Sequence, residues 1–226
     1  MRNFLSIILL ATLLFSSDAQ FEMGKKIYKT SCVSCHGAKG SSDTDTSLIV
    51  EPRVLSKTIL TQEQSYQVIK KGAHYWGAST DIMPAFESVY SQKELYSVAY
   101  YISKAFNEKI KQKISKLYFQ SENIFKDKQD EILKRGEKVY KKNCSLCHGI
   151  EANGDGKANN NPAISIYPYA LNKTLLDEKQ IFLYAKYGGK YWGSDRDAMP
   201  SWSKKYDDFT LKSVAKYIND SFIKKR

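Results

Sequence analysis

Two pentapeptides, Cys32-Val33-Ser34-Cys35-His36 and Cys144-Ser145-Leu146-Cys147-His148, each place two thiols and an imidazole within about one turn of chain. Cysteines three positions apart share one side of a helical turn. Their sulfurs can there bond the two vinyl groups of one porphyrin, while the adjacent histidine offers a ring nitrogen to its iron. Cys-x-x-Cys-His is accordingly the attachment signature of c-type haem. A zinc or thioredoxin-like Cys-x-x-Cys followed by a chance histidine competes with that reading for either motif alone. Two motifs, each followed about fifty residues later by Met-Pro (Met83-Pro84 and Met199-Pro200), leave it little room. The motifs consume all four cysteines, and a disulfide across either pair would leave the next histidine unexplained.

Iron held by His36 and His148 needs a second axial ligand. Of four methionines, one is the initiator and Met23 precedes the first motif, which leaves Met83 and Met199 at matched Met-Pro pairs. A thioether is neutral and soft, so it favours ferrous iron and completes six-coordination without an open position for substrate. His74, the remaining histidine, is matched by Lys190 in the second half and reads as a polar residue outside the repeated design. The turn Gly154-Asp155-Gly156 and the run Asn159-Asn160-Asn161 lack the acidic series of a calcium loop and read as a flexible turn.

The elements that position these residues occur twice. An offset of 112 aligns Gly24 to Tyr28 with Gly136 to Tyr140 and the two haem motifs with each other. Beyond the motifs the offset becomes 116, pairing Pro52 with Pro168, Tyr75-Trp76-Gly77 with Tyr191-Trp192-Gly193, and Met83 with Met199. The second copy therefore carries four extra residues between His148 and Pro168. Thr61-x-x-Gln64 and Asp177-x-x-Gln180 predict capped helix starts, with Gly72 and Gly188 at the ends. Ser91-x-x-Glu94 and Asp207 predict the start of a last helix in each copy. Ile110, Ile114, Leu117 and Tyr118 fall at helical spacing, predicting an amphipathic connector packed against a domain. Alternating β-branched stretches are too short for a sheet, so the fold is expected to be all-α. Each copy is small for an apolar core alone, and a covalently held haem would supply the rest.

The N-terminus reads as an export signal. Arg2 is followed by an apolar run from Phe4 to Phe15, and Ser17-Asp18-Ala19 supplies small residues for cleavage after Ala19. That run is short for a bilayer span, which needs about 20 residues, and an uncleaved anchor is the alternative reading. The expected organisation is a signal peptide over 1–19, domains over 20–108 and 131–226, and a helical connector over 109–130. The mature chain is expected in the periplasm with no transmembrane segment.

The order Gly-x-x-x-Tyr, Cys-x-x-Cys-His, Tyr-Trp-Gly, Met-Pro and a final aromatic-bearing helix resembles the class I cytochrome c domain, twice over, across residues 24–106 and 136–222. The resemblance implies two tandem domains, each wrapped round a covalent haem c held by Cys32 and Cys35 or by Cys144 and Cys147. It implies that Gly24 and Tyr28 pack on Val98 and Tyr101, and Gly136 and Tyr140 on Val214 and Tyr217. It further implies that Trp76 and Trp192 donate indole hydrogen bonds to haem propionates.

The formal net charge is +11 before haem propionates, which lower it. Residues 20–108 contribute +1, residues 109–130 contribute +3 and residues 131–226 contribute +7. A basic chain can bind nucleic acid, but export and haem argue against that partner. The surplus instead suggests steering toward an acidic redox protein, with the second domain leading. The resulting expectation is an electron-transfer protein and not an enzyme, joining a quinol-oxidising complex or dehydrogenase to a terminal oxidase or reductase. The alternatives are a cytochrome subunit of a periplasmic dehydrogenase complex, or a di-haem peroxidase or thiosulfate-oxidising enzyme.

Overall fold

A computed structural model describes residues 2–44, 51–110, 112, 114, 129–160, 168–194 and 199–223, with side chains from Ser17 onward except that of Gln129. The first copy contains α1 (Arg2–Ser31), α2 (Val33–His36), α3 (Gln62–Lys71) and α4 (Gln92–Ala105). The second contains α5 (Gln129–Val139), α6 (Ser145–His148), α7 (Glu178–Tyr187) and α8 (Asp208–Ile218). No strand occurs among the described residues, so the fold is all-α as expected. The cleavage expected after Ala19 falls inside the continuous α1. Among the described residues no helix is long and apolar enough to cross a membrane.

The predicted caps form. Thr61, Ser91 and Asp177 each accept from the backbone of the residue three positions on, and Gln64, Glu94 and Gln180 each return the bond to the cap's own N–H. Asp207 caps α8 by accepting from Thr210. These bonds satisfy amides that a helix start otherwise leaves without partners.

In each copy the first helix crosses the last, α1 on α4 and α5 on α8. The crossing is closest at a glycine. A Cβ on Gly24 would lie 2.0 Å from the Ser97 carbonyl oxygen and 2.9 Å from the Tyr101 Cβ. A Cβ on Gly136 would lie 2.0 Å from the Ser213 oxygen and 2.8 Å from the Tyr217 Cβ. The expected tyrosine partners are therefore met, while the tightest contact is with the main chain beside Val98 and Val214. One turn on, the buried Tyr28 ring meets Tyr101 at 5.3 Å and Tyr140 meets Tyr217 at 5.6 Å. The Tyr28 and Tyr140 hydroxyls donate to Gly37 O at 2.7 Å and Gly149 O at 2.8 Å, the residues directly after each haem motif. The helix crossing thus fixes the end of the motif.

Two apolar clusters follow from this repeat. One gathers Ile27, Tyr28, Tyr66, Ile69, Leu95, Val98, Ala99, Tyr101 and Ile102. The other gathers Tyr140, Ile181 to Ala185, Trp192, Leu211, Val214, Ala215 and Ile218, and it also takes in Ile59 from the first copy. Ile110 and Ile114 of the connector pack partly buried against this second cluster, as their spacing suggested. Leu117 and Tyr118 lie outside the described residues.

Gly24→Ala and Gly136→Ala should each destabilise their copy by about 1–3 kcal/mol or more, because the added methyl meets backbone that cannot rotate away. Thermal melts of the two variants against wild type check this.

Candidate haem sites and the interface between them

Each haem motif is a single turn of helix closed by a glycine, α2 by Gly37 and α6 by Gly149. All four cysteines are free and half-buried. Burial, with a smaller contribution from the second thiol of the pair, pushes the Cys32 and Cys144 thiols up to about 12. A redox Cys-x-x-Cys needs the opposite, a thiolate stabilised near neutral pH. Among the described residues no three of His, Cys, Asp and Glu come together as ligands for a metal ion.

The histidines are held for one task. The His36 Nδ1 lies 3.1 Å from Arg53 O, and the His148 Nδ1 lies 2.9 Å from Tyr169 O. A carbonyl oxygen can only accept, so Nδ1 carries the proton and Nε2 keeps its lone pair. Burial lowers both imidazole pKa values, partly opposed by that carbonyl bond, which favours the neutral ring that ligates a metal. Two thiols on one turn beside a neutral imidazole with a free Nε2 fit covalent haem.

The methionine loops are pinned in the same way in both copies. Met83 O accepts from Ala73 N at 3.1 Å and Phe86 N donates to Ile69 O at 3.1 Å; Met199 O accepts from Gly189 N at 2.9 Å and Trp202 N donates to Ala185 O at 3.0 Å. Each methionine is thus tied on both sides to the end of α3 or α7. Met83 borders the first cluster together with Cys32, and Met199 borders the second together with Cys144.

Three expectations require revision or closer statement. A propionate contact was expected of Trp76 and Trp192. Their single indole protons go to Gln67 O at 3.0 Å and Leu183 O at 2.9 Å, because an indole N–H withdrawn from water takes the nearest carbonyl. Trp192 is fully buried and Trp76 is half-buried, so both act as walls. His74 donates Nδ1–H to Ala78 O at 2.9 Å and serves its own loop, as its unmatched position suggested. The Gly154–Gly156 turn, expected to be flexible, is fastened to the second motif: Gly154 N donates to His148 O at 2.8 Å and Gly156 N to Cys147 O at 3.1 Å. Asn159 Nδ2 adds a bond to Cys147 O at 3.0 Å; Asn161 lies outside the described residues.

The sequence patterns did not disclose the contact between copies, which obeys the same twofold repeat. Val54 N donates to Gly193 O at 2.9 Å, and Ala170 N, the position matching Val54, donates to Gly77 O at 2.7 Å. Both glycines have positive φ, and a Cβ on them would lie 2.4 Å from Ala170 O or 2.5 Å from Val54 O. Beside them the Gln64 and Gln180 amides pair, each donating Nε2–H to the other's Oε1 at 2.8 Å. Gln64 also donates to Leu175 O at 2.6 Å and Gln180 to Ile59 O at 2.7 Å. Because each Oε1 also closes its own capping box, both amides have all donors and acceptors used. The only available signal was the glycine and glutamine recurring at offset 116, and local roles already accounted for both.

Two all-α halves, each built around a Cys-x-x-Cys-His turn whose histidine keeps Nε2 free, define a protein of the cytochrome c type. The chain belongs to the family described as cytochrome c oxidase, cbb3-type, subunit III, which matches it twice, over residues 19–102 and 131–218. Both matches contain a haem motif, and covalent haem c is the cofactor this membership implies. No curated protein matches the chain. Among solved structures, a chain of the Kuenenia stuttgartiensis reducing HAO-like protein complex Kustc0457/Kustc0458 aligns at 21% identity with a TM-score of 0.46. The alignment covers 88% of this chain and 95% of that one, a likeness too slight to carry an inference.

Gln180→Ala should cost about 1–3 kcal/mol by leaving the Ile59 carbonyl without its donor and the Gln64 amide short of one acceptor and one donor. A double-mutant cycle with Gln64→Ala should return a coupling of about 0.5–3 kcal/mol, measured by denaturant unfolding. Additive losses would mean the two amides do not act as a pair.

Proposed function

We propose that each copy holds one haem c in a class I arrangement, with His36 and Met83 on the first iron and His148 and Met199 on the second. Cys32 and Cys35 carry the first porphyrin, Cys144 and Cys147 the second. The observation that carries this reading is the identical treatment of both histidines, whose Nδ1 protons are committed to Arg53 O and Tyr169 O. The haems would supply a one-electron ferric/ferrous couple. With Met83 and Met199 as second axial ligands, the chain's own residues would leave no open coordination position, which favours a carrier over an enzyme. One electron enters from a donor and one leaves to an acceptor, with no bond made or broken.

The proposed site of this work is the periplasm, after cleavage following Ala19, with proposed working domains over 20–108 and 131–226. The family description names a subunit of an oxidase. This favours a terminal oxidase as the electron acceptor, with permanent residence in such an assembly as the second reading. The surplus of +7 in residues 131–226 favours an acidic partner surface that meets the second copy. Lys190 is exposed at the start of the Lys190–Trp192 turn, beside the part-exposed Tyr191.

The ferric protein should show the weak long-wavelength methionine-to-iron band for both haems. Met83→Ala should remove it from the first haem alone and Met199→Ala from the second alone. High-spin iron in the intact native protein, or rapid peroxide turnover, would move the reading to an enzyme. Electron transfer to the acceptor should slow as salt rises, and Lys190→Gln should slow it several-fold at low salt with a shallower salt slope. Equal rates and slopes would take Lys190 out of the docking surface.

A further inference from the structure

One side chain at the interface has no counterpart across the twofold repeat. Arg53 lies at the position of Tyr169, and its main-chain carbonyl orients His36 as the Tyr169 carbonyl orients His148. Its side chain leaves the first copy. Nη1 donates to the Tyr184 hydroxyl and reaches Trp192 O at 3.4 Å, while Cζ stands 5.6 Å from the ring centres of both Tyr169 and Tyr184. Every one of these partners belongs to the second copy. The reverse contact cannot form, because the residue matching Tyr184 is Val68, which has no hydroxyl.

We infer that Arg53 acts in trans on the second site: the first copy places a fixed positive charge against the ring of Tyr169, the residue whose carbonyl holds His148, and makes the second haem the more readily reduced of the two. The inference rests on the proposed haem-binding reading. Arginine stays protonated at any physiological pH, so the charge is permanent. Its described partners are a phenol, a main-chain carbonyl and two aromatic faces, and among the described residues no carboxylate forms an ion pair with it. A charge in a half-buried setting acts over a longer range than one in water. Tyr169, whose ring the guanidinium covers, is the residue whose carbonyl holds His148. Ferric iron carries one positive charge more than ferrous, so a nearby cation favours the reduced state.

The test is a spectroelectrochemical titration of the intact holoprotein, with the first haem identified by the band lost in Met83→Ala. Arg53→Met should lower the reduction equilibrium of the second haem at least tenfold, about 59 mV for one electron, and shift the first haem less. Arg53→Lys, which keeps the charge, should stay within about threefold of wild type. If the methionine variant fails to retain both haems, Arg53→Gln keeps an N–H donor for Tyr184 and Trp192 and is read with the same expectation. An unchanged second haem, an equal shift of both, or a larger shift of the first would overturn the inference. The haem content of the wild type is a separate readout, and a value other than two per chain would instead overturn the reading beneath it.

Discussion

A histidine offers a metal one nitrogen cleanly only when the other is already engaged, and in this chain the group that engages it also joins the two copies. Arg53 O and Tyr169 O take the Nδ1 protons of His36 and His148. The very next N–H groups, those of Val54 and Ala170, donate across the interface to Gly193 O and Gly77 O. One peptide plane in each copy therefore faces the ligand with its oxygen and the other copy with its nitrogen. Imidazole orientation and the relative placement of the two copies are a single mechanical problem. Gly77 and Gly193 close it, because a side chain on either would push the partner loop, and with it the histidine, out of place.

The rest of the fold serves to hold that plane still. Glycine at the helix crossing lets α1 approach α4, and α5 approach α8, to backbone contact. The tyrosine one turn later then reaches the carbonyl that ends the haem turn. On the opposite side, the Met83 and Met199 loops are stitched to the ends of α3 and α7. The N-terminal boxes of those same helices supply Gln64 and Gln180 to the interface. Each helix thus positions one methionine with its last turn and the partner copy with its first. Covalent attachment of the porphyrin adds a constraint that does not depend on apolar burial, which suits domains too small to build a large core.

Much of this was legible in the chain itself. The haem motifs, the duplication, the capping boxes and the paired methionines all lie in short patterns whose physics is local, whereas the role of the two glycines at the helix crossing came from the family resemblance. The interface was not legible because its contacts join residues more than ninety positions apart, and because its residues already had sufficient local explanations. Gln64 reads fully as a capping residue until Gln180 is found 2.8 Å away. For Trp76 and Trp192 the family resemblance suggested a cofactor contact, and no local pattern disclosed that each indole proton goes to a carbonyl nine residues upstream. Arg53 stands between a proline and a valine in a loop, and nothing local tells that its guanidinium ends among the aromatics of the other copy.

The most direct test of the central claim, that both copies bind haem covalently and alike, is the intact mass and iron content of the chain made in a cell that matures c-type haem. Two haems should remain on each polypeptide after acid–organic extraction, with two irons per chain and no free thiol. One haem per chain, haem that extracts freely, or thiols that still react with alkylating reagent would contradict it.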